Sequence, residues 1–181
     1  MRSKLVDQLK SYSSDFQVEN EFRRRFLKLL EHERAFHRDH LPGHITGSAW
    51  IVEPTYQFVL LTHHAKLNRW LQPGGHADGD ENVLQVALRE AHEETGLKSL
   101  APVSANIFDI DIHTIPARKD FPEHDHYDIR FLFMAPKDEL LLITAESIDL
   151  QWVKLFDVAS YVANSPSIMR MAEKTSGFKR R

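Results

Sequence analysis

The sequence predicts an α/β domain in which helices cover a mixed sheet, preceded by a helical extension. Two observations support this. Apolar residues recur at helical spacing in the first 40 residues and again from residue 83, and strand-like segments follow both stretches. Helices that alternate with groups of strands in this order are typical of a layered α/β architecture. At 181 residues the chain can bury one proper core. We assign residues 1–40 to the helical extension and residues 41–181 to the main domain.

Composition excludes several classes of protein. The net charge of −3 leaves no basic footprint for bulk nucleic-acid binding, so a nucleic-acid partner is not expected. The chain contains no cysteine, which rules out a disulfide framework and a thiolate zinc site. Neither a signal-peptide core nor an apolar run of about 18 residues is found. We therefore expect a cytoplasmic protein with no membrane partner.

Two helices are predicted within the extension. Ser14, followed by Gln17 three residues later, indicates a capping box at the start of the second helix. An apolar stripe then follows at helical spacing. It consists of Phe22, Phe26, Leu29 and Leu30. We expect this stripe to pack on the main domain or on a second subunit, so a homodimer is a possible assembly.

Five segments of the main domain are predicted to be strands. They are residues 44–53, 57–62, 105–114, 126–134 and 148–155. The continuous apolar run of residues 58–61 indicates a strand that is covered on both faces. Residues 157–163 read as a short helix. Ser165 and Pro166 begin the last helix, Gly177 is expected beyond its end, and Lys179 to Arg181 form a terminal tail.

The segment from Gly75 to Leu97 carries the strongest chemical signal. Asn82 and Gln85 read as a capping pair at the start of a helix, and Gly96 suits its left-handed end. On that helix three glutamates share one face, at positions i, i+3 and i+4. They are Glu90, Glu93 and Glu94. Their mutual repulsion would be relieved by a hard divalent cation, which prefers oxygen ligands.

This segment resembles the signature of the Nudix hydrolases, G-x5-E-x7-R-E-U-x-E-E-x-G-U, in which U is a bulky apolar residue. The matching positions are Gly75, Glu81, Arg89, Glu90, Glu93, Glu94, Gly96 and Leu97. The one departure is Ala91 at the first U position, which should alter packing rather than chemistry. So many matching positions make the motif specific. The resemblance implies an α/β/α sandwich, in agreement with the predicted layers.

The resemblance also implies a reaction and a set of residues. Nudix enzymes cleave a nucleoside diphosphate linked to another group by attack of water on phosphorus, with Mg²⁺ or Mn²⁺ as cofactor. The implied metal ligands are Glu90, Glu93, Glu94 and the carbonyl oxygen of Gly74. The implied catalytic residues are Glu90, Glu93 and Arg89, with Glu90 a candidate general base and Arg89 expected to hold a glutamate by a charge-assisted pair. Family members differ in the position of the base, and some use a carboxylate from a later loop.

Two features outside the motif stay open. The further carboxylate ligand has four candidates, which are Asp120, Glu123, Asp128 and Glu139. Polar side chains also alternate along residues 109–113 and 126–130, which predicts a polar wall of the substrate pocket if the two strands are neighbours. The predicted substrate-binding residues are His76, Arg118, His126, Asp128 and Arg130. One alternative is a sheet face open to water. Another is a wall whose histidines also bind a metal ion.

The substrate itself is not predicted. The proline typical of ADP-ribose enzymes and the tyrosine typical of dinucleoside polyphosphate enzymes are not in register here. Nucleoside triphosphates, nucleotide sugars and other diphosphates stay open as small-molecule substrates. An inactive Nudix-fold binding or regulatory module is the alternative function, but such members typically lose the glutamates that this chain retains. An unrelated Ca²⁺-binding or solvated acidic helix would leave the rest of the motif unexplained.

Overall fold

The computed structural model describes residues 1–119, 121–163 and 165–178. Asp120, one candidate metal ligand, and the tail from Lys179 to Arg181 lie outside the described residues. The helices are α1 (Arg2–Ser11), α2 (Gln17–Leu29), α3 (Val83–Thr95), α4 (Val158–Tyr161) and α5 (Pro166–Phe178), with a 3₁₀ turn at Leu155–Asp157. The strands are β1 (Gly43–Val52), β2 (Phe58–His64), β3 (Arg69–Leu71), β4 (Gly74–His76), β5 (Ala101–Pro102), β6 (Asp109–Ile115), β7 (His124–Met134) and β8 (Ser147–Lys154).

The strands form one mixed sheet. Its main order is β3-β2-β1-β7-β5, while β4 pairs with β1, β6 with β7 and β8 with β2. The pairing of β1 with β7 is parallel and runs from Gly43 opposite Asp125 to Val52 opposite Met134. The other strand pairs are antiparallel. This arrangement places β1 at the centre of the sheet, buried along its whole length.

Helices cover both faces of the sheet, as the sequence predicts. Ile45 and Ile51 of β1 belong to a core that also contains buried residues of α1, α2 and α3. Trp50 and Val52 point to the opposite face and pack in a second core with α4 and α5. This alternation follows from the two-residue period of a strand, and it explains why the strand is apolar on both sides.

The N-terminal helices pack on the sheet of their own chain. Leu9 and Phe26 are fully buried in the same core as Ile45. The division at residue 40 stays a prediction, since both segments contribute to that core. The predicted capping box at Ser14 is wrong. The helix begins three residues later, because the hydroxyl of Ser14 instead bonds the carboxylate of Glu19.

The polar faces of β6 and β7 meet as predicted, and their buried part forms an ion network. Asp109 lies opposite Arg130, and Asp111 lies opposite Asp128. The guanidinium of Arg130 is 2% exposed and lies 3.1 Å from Asp109, 3.2 Å from Asp111 and 2.7 Å from Asp128. These carboxylates occupy the donors of Arg130, so the pairing stabilises the fold, and substrate binding by Asp128 and Arg130 stays a prediction.

The same network joins the two ends of the chain. Asp109 also pairs with Arg170 at 2.8 Å and with Lys174 at 2.8 Å, both on α5. Lys174 in turn lies 2.7 Å from Glu19 of α2. Burial of Asp109 opposes ionisation, but Arg170, Arg130 and Lys174 outweigh it and hold its pKa below the usual value. The network therefore ties both terminal helices to β6.

Three smaller expectations change. The third predicted strand begins at Asp109 rather than Ala105, and Gly177 lies inside α5 rather than beyond its end. The strand predicted over residues 57–62 extends further, since β2 runs from Phe58 to His64. None of the helices in the described ranges is long and apolar enough to cross a bilayer.

We expect Arg130→Met to lower the free energy of unfolding by about 3 to 5 kcal/mol, because the buried Asp128 loses its cationic partner and Asp109 and Asp111 each lose one of theirs. Chemical denaturation measures this change. Arg24→Met is the matched control, since Arg24 is exposed, and it should shift stability by less than about 0.5 kcal/mol. Equal stability of the two variants would contradict a structural role for the network.

Candidate active site

Helix α3 presents the three glutamates of the motif. Asn82 is its N-cap residue, as predicted, but its side chain makes no capping hydrogen bond. Gly96 ends the helix with φ of 72°, a left-handed conformation that suits glycine. Val86, Ala87 and Ala91 bury the opposite face against the sheet. The helix is therefore held by one side while the glutamates line another.

Strand β4 brings backbone close to this acidic face. The N–H of Gly74 donates a 2.9 Å hydrogen bond to Oε1 of Glu94. A Cβ atom added at Gly75 would lie only 2.7 Å from Oε1 of Glu90. A side chain at this position would therefore displace the carboxylate of Glu90 from its place beside β4.

The three glutamates differ in environment. Glu94 is 7% exposed, and burial raises its pKa to about 7, with further increases from the charges of Glu90, Glu146 and Glu93. Burial also raises the pKa of Glu90. Glu93 has a side chain that is 59% exposed. Desolvation and like charge together therefore disfavour a fully ionised cluster.

Arg89 partly compensates this charge. Its guanidinium lies 2.8 Å from Oε1 of Glu90 and 3.1 Å from Oε2 of Glu93, so it pairs with glutamates as predicted. It also donates to the carbonyl oxygen of His76 at 3.3 Å. Within the described residues Glu94 has no cationic partner, and its bond to the Gly74 N–H is the contact that the structure gives it.

The remaining motif glutamate, Glu81, lies apart from this face. Its carboxylate accepts a 3.0 Å hydrogen bond from Nε of Arg2 and another from the Arg2 backbone N–H. The N-terminal extension is thus attached directly to the loop that precedes α3. This contact gives Glu81 an anchoring role.

A fourth carboxylate, Glu146, approaches the site and was missed by the sequence reasoning. It lies in the loop before β8, and its charge raises the pKa of both Glu90 and Glu94. The loop is held where the N–H of Leu142 donates to the carbonyl of Thr95 at 2.9 Å. No local pattern marks Glu146, because its position depends on the pairing of β8 with β2.

The sequence-predicted candidates for the outer ligand fit less well. Glu139 accepts hydrogen bonds from the backbone N–H groups of Lys98 and Ser99, beyond the end of α3. Asp128 is buried and accepts hydrogen bonds from the hydroxyl groups of Thr46 and Ser48. Glu123 is exposed in the loop before β7.

The predicted substrate-binding residues separate into groups. His76 and His126 lie together, with ring centroids 4.9 Å apart. Burial lowers the pKa of His76 to about 4 and that of His126 to about 2, so both imidazoles are neutral. Arg118 is exposed in the loop between β6 and β7, where its backbone pairs with Phe121.

The carboxylate cluster suits a hard divalent cation. It offers several oxygen donors, one of them a buried carboxylate with no cationic partner in the described part of the chain. Gly74 and Gly75 bring the backbone of β4 close to the same carboxylates. Oxygen donors of this kind are the ligands that Mg²⁺ and Mn²⁺ prefer.

Glu94→Gln should stabilise the metal-free protein at neutral and higher pH. Because the pKa of Glu94 is about 7 in the folded chain against 4.5 for the free group, the folded chain binds more protons in that interval. Stability of the wild type should therefore fall as pH rises from about 4.5 to about 7. The variant should be more stable by roughly 2 to 3 kcal/mol at pH 8, with little gain at pH 4. Thermal denaturation in a chelator measures this.

Glu93→Gln is the control for that experiment, because the same change of charge is made at a side chain that is 59% exposed. It should give a much smaller gain. If Glu94→Gln lowered stability at pH 8, the buried carboxylate would not be a site of unfavourable charge.

Comparison with known proteins places this geometry in a family. A family model described as the NUDIX domain matches residues 42–171. A crystal structure of a C. elegans Ap4A hydrolase has a TM-score of 0.59 at 18% identity and covers 74% of this chain and 96% of that chain. At this identity the likeness concerns the fold alone. It agrees with the sandwich that the sequence predicted.

Curated relatives match over shorter stretches. The asymmetrical bis(5'-nucleosyl)-tetraphosphatase of Mus musculus is 44% identical over 45 residues, which cover 25% of this chain and 31% of the mouse protein. A probable DHNTP pyrophosphohydrolase of Lactococcus lactis is 30% identical over 97 residues, which cover 52% of this chain and 56% of that protein. The chain thus spans only part of the length of these relatives. Because the family model matches well over half of its residues, the chain belongs to the Nudix hydrolase family.

Proposed function

We propose that this protein is a divalent-metal-dependent hydrolase that cleaves the diphosphate bond of a nucleoside diphosphate linked to another group. The observation that carries the proposal is the grouping of Glu90, Glu93 and Glu94 on one face of α3, beside Gly74. A site that only binds nucleotide needs no buried carboxylate whose ionisation is disfavoured. The inactive binding module is therefore the weaker alternative.

The cation would be held by Glu90, Glu93 and Glu94 with the carbonyl oxygen of Gly74, and Glu94 is the first choice among them. When bound, Mg²⁺ or Mn²⁺ would neutralise the phosphates and lower the pKa of water at the site. Arg89 serves as the positioning residue, because its pairs with Glu90 and Glu93 restrict their rotamers.

The proton of the attacking water needs an acceptor, and two carboxylates qualify. Glu90 is half-buried and paired with Arg89, which favours a ligand role. Glu146 is exposed in its loop and makes no ion pair within the described residues, so it can accept a proton and pass it to solvent. We assign Glu146 as the general base, and this residue supplies the carboxylate from outside the motif.

The proposal also concerns the substrate class and the oligomeric state. The relatives are named for dinucleoside tetraphosphate and dihydroneopterin triphosphate substrates, so both compounds belong in a test panel with nucleotide sugars and nucleoside triphosphates. The homodimer stays a prediction, although the buried Leu9 and Phe26 are already used within the chain. Sedimentation of the full chain tests it.

We expect hydrolysis of at least one panel compound with Mg²⁺ or Mn²⁺, with products identified by mass. Glu94→Gln should reduce kcat/KM by at least about 100-fold, because a metal contributes several kcal/mol to such reactions. Glu146→Gln should reduce kcat by about 100-fold or more, as expected for loss of a general base, with the substrate KM little changed.

Glu31→Gln, at an exposed position on the N-terminal extension, is the control for both variants and should retain wild-type turnover. Equal activity in wild type and Glu94→Gln would contradict the proposed site. Tight binding of nucleotide and metal by a wild type that never turns over would favour the binding module instead.

A further inference from the structure

A cluster of histidines is connected to the carboxylate site through strand β4, which carries both His76 and Gly74, and it takes no part in the proposed hydrolysis. Sheet topology brings these residues together from four strands. His44 of β1 lies opposite His126 of β7, and His126 also lies opposite His113 of β6. His76 enters from β4, whose register places it opposite Thr46, two residues from His44. His124 is the first residue of β7.

Three of these imidazoles are close enough to share one ion. The ring centroids of His44 and His124 are 5.1 Å apart, those of His44 and His126 are 5.0 Å apart, and those of His124 and His126 are 5.2 Å apart. One ligand nitrogen from each ring lies within 4.8 Å of the other two. Three imidazole nitrogens at this spacing are candidates to share one ion.

Two of the nitrogens are buried without a partner. His44 is 1% exposed, and its Nε2 makes no hydrogen bond to the described residues. The Nε2 atom of His126 is buried in the same unpartnered state. Buried polar atoms in native proteins are almost always satisfied by protein groups or by an ordered water or ion, so these two nitrogen atoms indicate an occupant that the protein chain does not supply.

Contacts with backbone carbonyl oxygens fix the tautomers of two of these rings. Nδ1 of His124 lies 2.9 Å from the carbonyl oxygen of Pro122, and Nδ1 of His44 makes a longer contact of 3.4 Å with the carbonyl of His40. A carbonyl oxygen can only accept, so Nδ1 carries the proton in both rings and Nε2 keeps its lone pair. Metal-ligating histidines show this arrangement, in which the second nitrogen donates to a carbonyl.

The alternative occupants fit less well. A phosphate or another anion would be repelled by the lone pairs on Nε2 of His44 and His124. A hard cation such as Mg²⁺ prefers oxygen, and it already has the carboxylate cluster. A purely structural stack of histidines would explain the close ring distances but would leave the Nε2 atoms of His44 and His126 unsatisfied.

We propose that His44, His124 and His126 bind one transition-metal ion of the zinc class, at a site distinct from the glutamates of α3. Imidazole is a preferred ligand of Zn²⁺, and three protein ligands leave a fourth position in its tetrahedral shell. His76 stands next to that position, with its ring 5.2 Å from His44 and 4.9 Å from His126.

The test is calorimetric titration of the chelator-treated full chain with Zn²⁺ alone, without nucleotide. We expect one zinc ion per chain in the wild type and in Glu94→Gln. His124→Gln and His126→Gln should each weaken zinc affinity by more than about 100-fold, since loss of even an outer-shell partner costs roughly 10- to 100-fold. His63→Gln is the matched control and should bind zinc as the wild type does, because His63 lies on β2, outside the cluster.

Three results would overturn the proposal. They are a wild type that takes up no stoichiometric zinc, histidine variants that bind zinc as tightly as the wild type, and zinc binding that disappears in Glu94→Gln but survives in the histidine variants. If the variants fail to fold, binding of Co²⁺ to the wild type distinguishes the two kinds of site. Co²⁺ with nitrogen ligands in a tetrahedral field absorbs visible light intensely, whereas Co²⁺ held by carboxylates and water does not. Turnover with Mg²⁺ is a separate readout, so failure of this site and failure of the proposed hydrolysis are distinguishable.

Discussion

The parallel pairing of β1 with β7 is the constraint on which the rest of the structure depends. It joins segments about 80 residues apart and runs the full length of β1. Because β4 pairs with the other side of β1, the same strand holds Gly74 and Gly75 against α3. Because β6 pairs with β7, the acidic residues of β6 reach Arg130. Both the candidate active site and the buried ion network are consequences of this one central pairing.

Buried carboxylates occur in two places in the fold, and they differ in the positive charge that surrounds them. Asp109 is surrounded by guanidinium and ammonium groups, so its pKa lies below the usual value and its charge stabilises the fold. Glu94 receives one backbone N–H, and its pKa rises to about 7. The difference lies in the counter-charge that the protein supplies. A carboxylate that is neutralised internally has a structural role, whereas one that is left without a cation is suited to binding one.

The histidine cluster offers nitrogen donors where α3 offers oxygen donors. The Nε2 atoms of His44 and His126 are buried without a hydrogen-bond partner in the described residues. Oxygen and nitrogen donors differ in the ions that they prefer, so the two groups suit different metals. The short strand β4 contacts both groups, through Gly74 to Glu94 and through His76 to His126.

The sequence by itself determined the family, the layered fold and the glutamates of α3, because those signals are local: helical spacing, strand alternation and a motif of fixed spacing. It also predicted that Arg89 holds glutamates. Tertiary structure alone decided that Arg130 is buried among carboxylates, that Glu146 approaches α3 and that His44 joins the histidines of β7. These depend on pairings between strands far apart in the chain. Alternation identifies the residues that share a face, but it does not reveal whether that face meets water, substrate or a neighbouring charge.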